Sequence, residues 1–293
     1  MAHKAGFVNI IGNPNVGKST LTNALVGERL SIITAKAQTT RHRIFAILNE
    51  PDFQMVISDT PGIIRPAYKL QEGMMSAVAE VFQDADIFLY VTEPNDPPIK
   101  DERYLEKLQK VDTPLIIVLN KIDTTDQEKI VARVEQLGKD FPKADIIPIS
   151  ALNRFGIDQL KTLILKLLPE SPPYFDKDTI TDRSERFFIS EIVREKILET
   201  YDKEIPYSVE VIVDEFKVEP TITKIEASII VSRESQKGII IGHKGKNLTK
   251  VGTAARKDIE QFLDTKVFIN LHVKVKKNWR ESDTWLKRFG YKN

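Results

Sequence analysis

Cysteine is missing from this 293-residue chain, which excludes disulfides and thiolate-ligated metal sites. Histidine is nearly as scarce. The four residues His3, His42, His243 and His272 have no neighbours in sequence that would make a metal site. Long apolar runs are also lacking: a stretch such as Ile87–Val91 is strand-sized, far short of the roughly 18 residues that suggest a membrane span. The opening MAHKAGFVNII runs almost directly into a strand pattern, so no signal peptide is expected and the expected location is the cytoplasm. There are only two tryptophans, Trp279 and Trp285; either could stack on a ligand, but packing is the favoured reading.

Hydrophobic content of 41% and charged content of 29% are ordinary for a globular protein, and the length suits two domains. The formal net charge of +1 conceals an asymmetry. Residues 237–293 carry 14 Lys and Arg against 5 Asp and Glu, leaving 29 against 37 for the rest. Such segregation points to a local polyanion-binding surface, the plain alternative being a solvated basic helix.

Residues 7–168 alternate apolar runs with amphipathic stretches. Strands are expected at 7–11, 43–48, 53–58, 87–92, 115–119 and 145–149. Helical patterns occur at 101–110, 126–141 and 157–168. Near-continuous apolar strands such as PLIIVLN suit a sheet covered on both faces, so an α/β domain with a mostly parallel six-stranded sheet is expected over 1–170. Pro169, Pro172 and Pro173 end the last helix and open a connector over 171–182. A helix over 185–201, strands at 208–216 and 222–231, a Gly-containing turn between helices, the second of them near 247–263, and a strand at 266–275 then give an α-β-β-α-α-β order. Residues 183–293 are therefore expected to form a smaller α+β domain.

The loop Gly12-Asn13-Pro14-Asn15-Val16-Gly17-Lys18-Ser19, followed by Thr20, joins the first strand to the first helix and fits the P-loop pattern. Its glycines let backbone N–H groups converge on phosphate oxygens, aided by the helix N-terminus. Lys18 would reach the β- and γ-phosphates and Ser19 would give a hydroxyl to Mg²⁺. Asp59-Thr60-Pro61-Gly62 ends the third strand; Asp59 would hold Mg²⁺ through water and the Gly62 N–H would meet the γ-phosphate. Loss of that phosphate should let the segment from Gly62 to about Gly73 relax. Thr40 is preferred over Thr39 as the second hydroxyl on Mg²⁺.

Asn120-Lys121-Ile122-Asp123 ends the fifth strand. The Asp123 carboxylate matches the paired N1–H and N2–H₂ donors of guanine, which adenine does not present, so GTP and GDP are the expected nucleotides. Asn120 would bridge neighbouring loops, Lys121 would cover the base, and Ser150-Ala151-Leu152 would offer backbone N–H to guanine O6. Ile63 stands where small regulatory GTPases carry a water-orienting Gln, so hydrolysis should be slow or need help.

Farther along, Ile241-Gly242-His243-Lys244-Gly245-Lys246 carries a G-x-x-G loop flanked by Lys237 and Lys250, in the setting of a KH domain of type II. Glycines there let the loop clamp an RNA backbone, with the bases in an adjacent apolar groove. The local excess of positive charge should make binding salt-sensitive.

The GTP motifs in this order resemble the translation-factor-like GTPases, and the whole chain resembles the Era family of bacterial GTPases. GNPNVGKST, KAQTTRHR at 36–43, ITDRSERF at 180–187, YSVEV at 207–211, IIGHKG at 240–245 and HVKVKKNW at 272–279 carry the likeness. The resemblance implies that the RNA is the 3′ end of 16S ribosomal RNA and that the protein assists assembly of the 30S subunit, as a monomer. It also implies peripheral association with the membrane, although the sequence shows no anchor. Relatives in the wider Era-like group with Asn at the Asn15 position can use K⁺, so Asn15 would either help hold K⁺ or merely shape the loop. A switch enzyme is the leading reading. An RNA-binding scaffold and a membrane-associated regulator are the alternatives.

Overall fold

The computed structural model describes residues 2–99 and 101–291. By internal contacts the chain divides into two compact units, one made of residues up to 67 and 74–182, the other of 68–73 and 183 onward.

The first unit follows β1 (Lys4–Ile11), α1 (Lys18–Val26), β2 (Ile44–Asn49), β3 (Phe53–Asp59), α2 (Lys69–Asp84, from residue 74 on), β4 (Ile87–Thr92), α3 (Glu102–Lys110), β5 (Leu115–Leu119), α4 (Gln127–Asp140), β6 (Asp145–Pro148) and α5 (Ile157–Leu167). Its six strands lie in the order β2-β3-β1-β4-β5-β6. All pairings are parallel except β2 with β3. Because parallel strands are covered on both faces, their apolar residues are buried together: Val8, Ile10 and Ile11 on β1, Met55–Ile57 on β3, Ile87–Val91 on β4 and Ile116–Leu119 on β5. From β1 the chain moves to one side of the sheet for β2 and β3, then crosses to the other for β4. The carboxyl end of β1 therefore opens onto the crevice where α/β sheets place ligands.

Strand limits fall within a few residues of the sequence expectation. Helix α2 does not: its first turn begins at Lys69, so Gly73 lies inside a helix and the loop after Gly62 is shorter than expected. The stretch 171–182 also differs from a free connector. Gln54, fully buried on β3, donates to the Phe175 carbonyl (2.8 Å) and accepts from the N–H groups of Tyr174 (2.7 Å) and Phe175 (3.0 Å). The Ile47 N–H donates to the Ile180 carbonyl at 2.9 Å, and that of Phe45 to Asp182 Oδ1 at 2.9 Å. This segment thus lines the outer edge of β2 and satisfies an otherwise unpaired ladder.

The second unit contains α6 (Glu185–Thr200), β7 (Glu210–Val218), β8 (Thr223–Val231), α7 (Glu234–Ile241), α8 (Lys246–Leu263), β9 (Val267–Val275) and α9 (Asp283–Arg288). The sheet order is β7-β8-β9, with β7 antiparallel to β8 and β8 parallel to β9. Ile189, Val193 and Ile197 of α6, Ile225, Ala227 and Ile229 of β8, and Val251, Ala255 and Ile259 of α8 form its core. Trp279 is fully buried and donates to the Ser208 carbonyl at 3.2 Å, so it packs as the sequence favoured. No described helix is long and apolar enough to cross a membrane.

Candidate nucleotide and RNA sites

The P-loop is held open by glycines with no room for a side chain. A Cβ on Gly12 would stand 2.2 Å from the Val91 carbonyl oxygen, and one on Gly17 would stand 2.3 Å from Asn120 Nδ2. Gly17 caps α1 in the left-handed region at φ 94° with no side-chain cap, which leaves the first N–H groups of the helix for a ligand. A pocket of about 480 Å³ opens there, lined among others by Gly17, Lys18, Ser19, Thr20, Thr40 and Gly62.

Lys18 is buried, and its ammonium donates to the carbonyls of Asn13 (2.8 Å) and Gly12 (3.2 Å). Burial lowers its pKa to about 8, although Asp59 and Asp96 act to raise it. Ser19 Oγ and Thr40 Oγ1 are 2.8 Å apart, and Thr40 Oγ1 donates to Asp59 Oδ2 at 3.4 Å. Asp59 is fully buried; burial raises its pKa against the hydroxyl bonds that lower it, and its Oδ1 has no hydrogen-bond partner. Two hydroxyls and a carboxylate with a free oxygen form a hard-oxygen set that suits Mg²⁺. Thr39 points elsewhere, its hydroxyl bonded to the Lys36 carbonyl (2.6 Å) and lying 2.6 Å from Thr34 Oγ1. The geometry therefore separates the two threonines, with the Thr40 hydroxyl beside Ser19 and Asp59.

Gly62 packs directly on the P-loop: a Cβ there would come within 2.6 Å of Pro14 Cα. Thr60 Oγ1 donates to the Ile10 carbonyl at 2.6 Å, and the Ile63 N–H donates to the Gly12 carbonyl at 3.0 Å. Ile63 itself is fully buried.

Around the base, Asn120 bridges two loops. Its Nδ2 donates to the Val16 carbonyl (2.9 Å) and its Oδ1 accepts from the Ala151 N–H (2.9 Å). Lys121, at φ 60°, donates to the Asn15 carbonyl at 2.6 Å and pairs with Glu93. Asp123 is exposed in a short 3₁₀ turn over 122–124. Ser150 Oγ accepts from the Asn153 N–H at 3.2 Å, while Leu152 is 78% exposed. Asn15 is exposed at φ 66° and donates to the Ala35 carbonyl at 3.0 Å.

One expected residue behaves differently. The Asn13 side chain is buried and turned away from the pocket, donating to both carboxylate oxygens of Asp96 (3.1 Å each) and to the Pro97 carbonyl (2.9 Å). Only its backbone faces Lys18. Asp96 lies in no motif, so the sequence does not single it out.

In the second unit the G-x-x-G loop joins α7 to α8. Gly242 has φ 69° and Gly245 φ 79°, and Gly245 caps α8 without a side-chain cap, as Gly17 caps α1. His243, Lys244, Lys246 and Lys250 are exposed, whereas Lys237 and Ile241 are half-buried. Beside the loop, between α8 and β9, runs a groove of about 350 Å³ whose walls include Leu248, Gly252, Arg256, Phe268 and Leu271. Phe268 is 54% exposed, a large apolar ring at an outward position of a strand. The G-x-x-G pattern locates this groove and the following helix gives one wall, but the other wall, from Phe268 to Leu271, lies more than 20 positions away and carries no motif.

A P-loop GTPase domain joined to a KH domain is the class these folds define. Residues 7–121 match the family described as 50S ribosome-binding GTPase, and residues 204–280 match the KH domain. GTPase Era of Clostridium kluyveri is 47% identical over 291 residues, covering 99% of both chains, and that of Clostridium botulinum strain Hall is 44% identical over 292 residues with the same coverage. Among solved structures, Era in complex with MgGDPNP and nucleotides 1506–1542 of 16S ribosomal RNA superimposes with a TM-score of 0.95 at 38% identity, covering 99% of this chain and 100% of that one. An Aquifex aeolicus Era variant bound to GDP·AlF4⁻ gives the same figures. The chain belongs to the GTPase Era family.

Proposed function

We propose that this protein is a GTP-hydrolysing switch that binds the 3′ end of 16S ribosomal RNA and assists assembly of the small ribosomal subunit in the cytoplasm, acting as a monomer. The observation that carries the reading is the meeting of Lys18, Ser19, Thr40 and Gly62 around one pocket at the carboxyl end of β1, with the buried Asp59 carboxylate bonded to Thr40. Choice of the small subunit rests on the 16S RNA bound by the relative, not on the broader family description that names the 50S.

Ser19 and Thr40 would hold Mg²⁺ directly and Asp59 through water, and the ion when bound supplies positive charge between the β- and γ-phosphates. The Lys18 ammonium leaves two backbone carbonyls to meet the same phosphates. Backbone N–H groups of the Gly12–Thr20 loop, Pro14 having none, cradle them, and the Gly62 N–H contacts the γ-phosphate. Asp123 selects guanine, Asn120 fixes the two loops around it, Lys121 covers its face, and the Ser150–Leu152 backbone addresses O6. With Ile63 buried, no side chain at that position orients water, so intrinsic hydrolysis is slow. Asn15 would either help hold K⁺ at the phosphates or only shape the loop; equal rates in K⁺ and Na⁺ buffers would remove the K⁺ role.

RNA lies with its backbone against Gly242–Gly245, attracted by Lys237, Lys244, Lys246 and Lys250, and its bases in the α8/β9 groove. The same positive field would attract an anionic membrane, but a left-handed glycine loop beside an apolar groove fits splayed bases better. The test is nucleotide turnover by the full chain with GTP or ATP, with and without RNA of the 16S 3′ end. The expected result is turnover of GTP only, faster with the RNA. Binding of GTP without any turnover, even with RNA, would leave a scaffold instead.

A further inference from the structure

The turn after β4 contains a buried-side carboxylate that none of the nucleotide motifs uses. Asp96 accepts from Asn13 Nδ2 through both oxygens and from Thr92 Oγ1 at 3.1 Å. Its own position is fixed from the other side: its N–H donates to the Glu93 carbonyl (3.0 Å), and its carbonyl accepts from Arg133 Nη2 of α4 (3.1 Å). Thr92 is fully buried at the end of β4, so the carboxylate is anchored to the sheet, not to a loose loop.

Everything the Asn13 side chain donates goes to this turn. Its Oδ1 is buried without a hydrogen-bond partner, so its orientation is set by the Nδ2 contacts alone. The backbone on either side of Asn13 then does two jobs. The carbonyls of Gly12 and Asn13 receive the Lys18 ammonium. Pro14, the next residue, is the surface on which Gly62 rests with no space for a Cβ. Moving Asn13 would therefore shift the lysine cradle and the γ-phosphate loop together.

We infer that Asp96 is a positioning residue for GTP hydrolysis: through Asn13 it locks residues 12–14 so that Lys18 and Gly62 stand in register. This rests on the GTPase reading above. It touches no nucleotide, so its loss should be felt more in turnover than in binding. Misplacement of a catalytic constellation by about 1 Å can cost roughly 100-fold in rate, and a smaller shift correspondingly less.

The experiment is a double-mutant cycle in the full-length protein with Asp96→Asn, Asn13→Ala and the pair, reading kcat, KM, GDP affinity and thermal midpoint. Asp96→Asn places an amide N–H₂ group against the Asn13 N–H₂ group and should lower kcat by about tenfold, with GDP affinity changed by less than about threefold. In the Asn13→Ala background, Asp96→Asn should cost almost nothing further, because the link is already cut. Thr92→Val, which removes one donor to Asp96, gives a milder loss of the same kind if Asp96→Asn fails to fold. Additive losses in kcat, or losses that track the thermal midpoint alone, would overturn the positioning role. Wild-type protein run alongside separates the two levels: no GTP turnover by the wild type defeats the GTPase reading, whereas normal wild-type turnover with unaffected variants defeats only the brace.

Discussion

Two glycine-bracketed loops, each leading into a helix, are built in opposite ways in this chain. Both lead into a helix capped by a left-handed glycine, Gly17 for α1 and Gly245 for α8, and neither helix has a side-chain cap. Around the P-loop the protein fills the space: Gly12 meets Val91, Gly17 meets Asn120 and Gly62 meets Pro14, all at distances that exclude a Cβ. A Cβ on Gly245 would meet nothing within 4 Å, and one on Gly242 would meet only the movable side chain of Asn247. A small ligand of fixed shape suits a cradle already set by the sheet. A flexible polymer suits an open loop that closes on it, with specificity left to the groove alongside.

That contrast can be broken experimentally. The largest effect belongs to Lys18→Ala, which should lower single-turnover GTP hydrolysis by about 10²- to 10³-fold, as loss of one preorganised donor does elsewhere. RNA affinity measured on the same variant should be unchanged. Next comes the pair Gly17→Ala and Gly245→Ala in urea unfolding. Gly17→Ala combines positive φ with a clash on buried Asn120 and should cost about 2–4 kcal/mol in its own unit. Gly245→Ala carries only the left-handed strain, about 1 kcal/mol. Equal costs would remove the distinction between a filled and an open loop.

A smaller effect is electrostatic. Lys18 has a pKa of about 8 without nucleotide, lowered by burial, and phosphate would restore its charge. Below that pH the lysine is already protonated; above it, GTP binding must take up a proton, so affinity should weaken as pH rises beyond about 8. Calorimetry in buffers of different ionisation enthalpy reads that uptake directly. The smallest expected change is for Lys244→Ala, which should reduce the slope of log affinity for RNA against log salt by roughly 1 and leave GTP turnover alone.

The strands and the loops that end them were legible because each signal is local. Apolar runs of strand length gave β4 and β5 to the residue, and GNPNVGKS, DTPG, NKID and GHKG each lie within a few positions. What the sequence did not disclose depends on contacts between distant residues. Asp96 is one acidic residue in a Pro-rich turn, and only the fold brings it to Asn13, 83 positions away. Gln54 looks like an ordinary strand residue until the 174–175 backbone closes on it. The α8/β9 groove needs Phe268 to stand outward beside Gly252, which alternation alone does not reveal. Helix α2 starts sooner than the motif's mobile stretch suggested, because a single interior glycine, Gly73, costs only about 1 kcal/mol and does not end it.

Full-length wild type and Gly245→Ala, titrated in parallel with GTP and with a single-stranded 16S 3′-end RNA at several salt concentrations, address the two-loop account most directly. RNA binding by the variant should weaken by roughly fivefold or more at each salt, while its GTP affinity stays within about twofold of wild type. Unchanged RNA binding, or a parallel fall in GTP affinity, would contradict it.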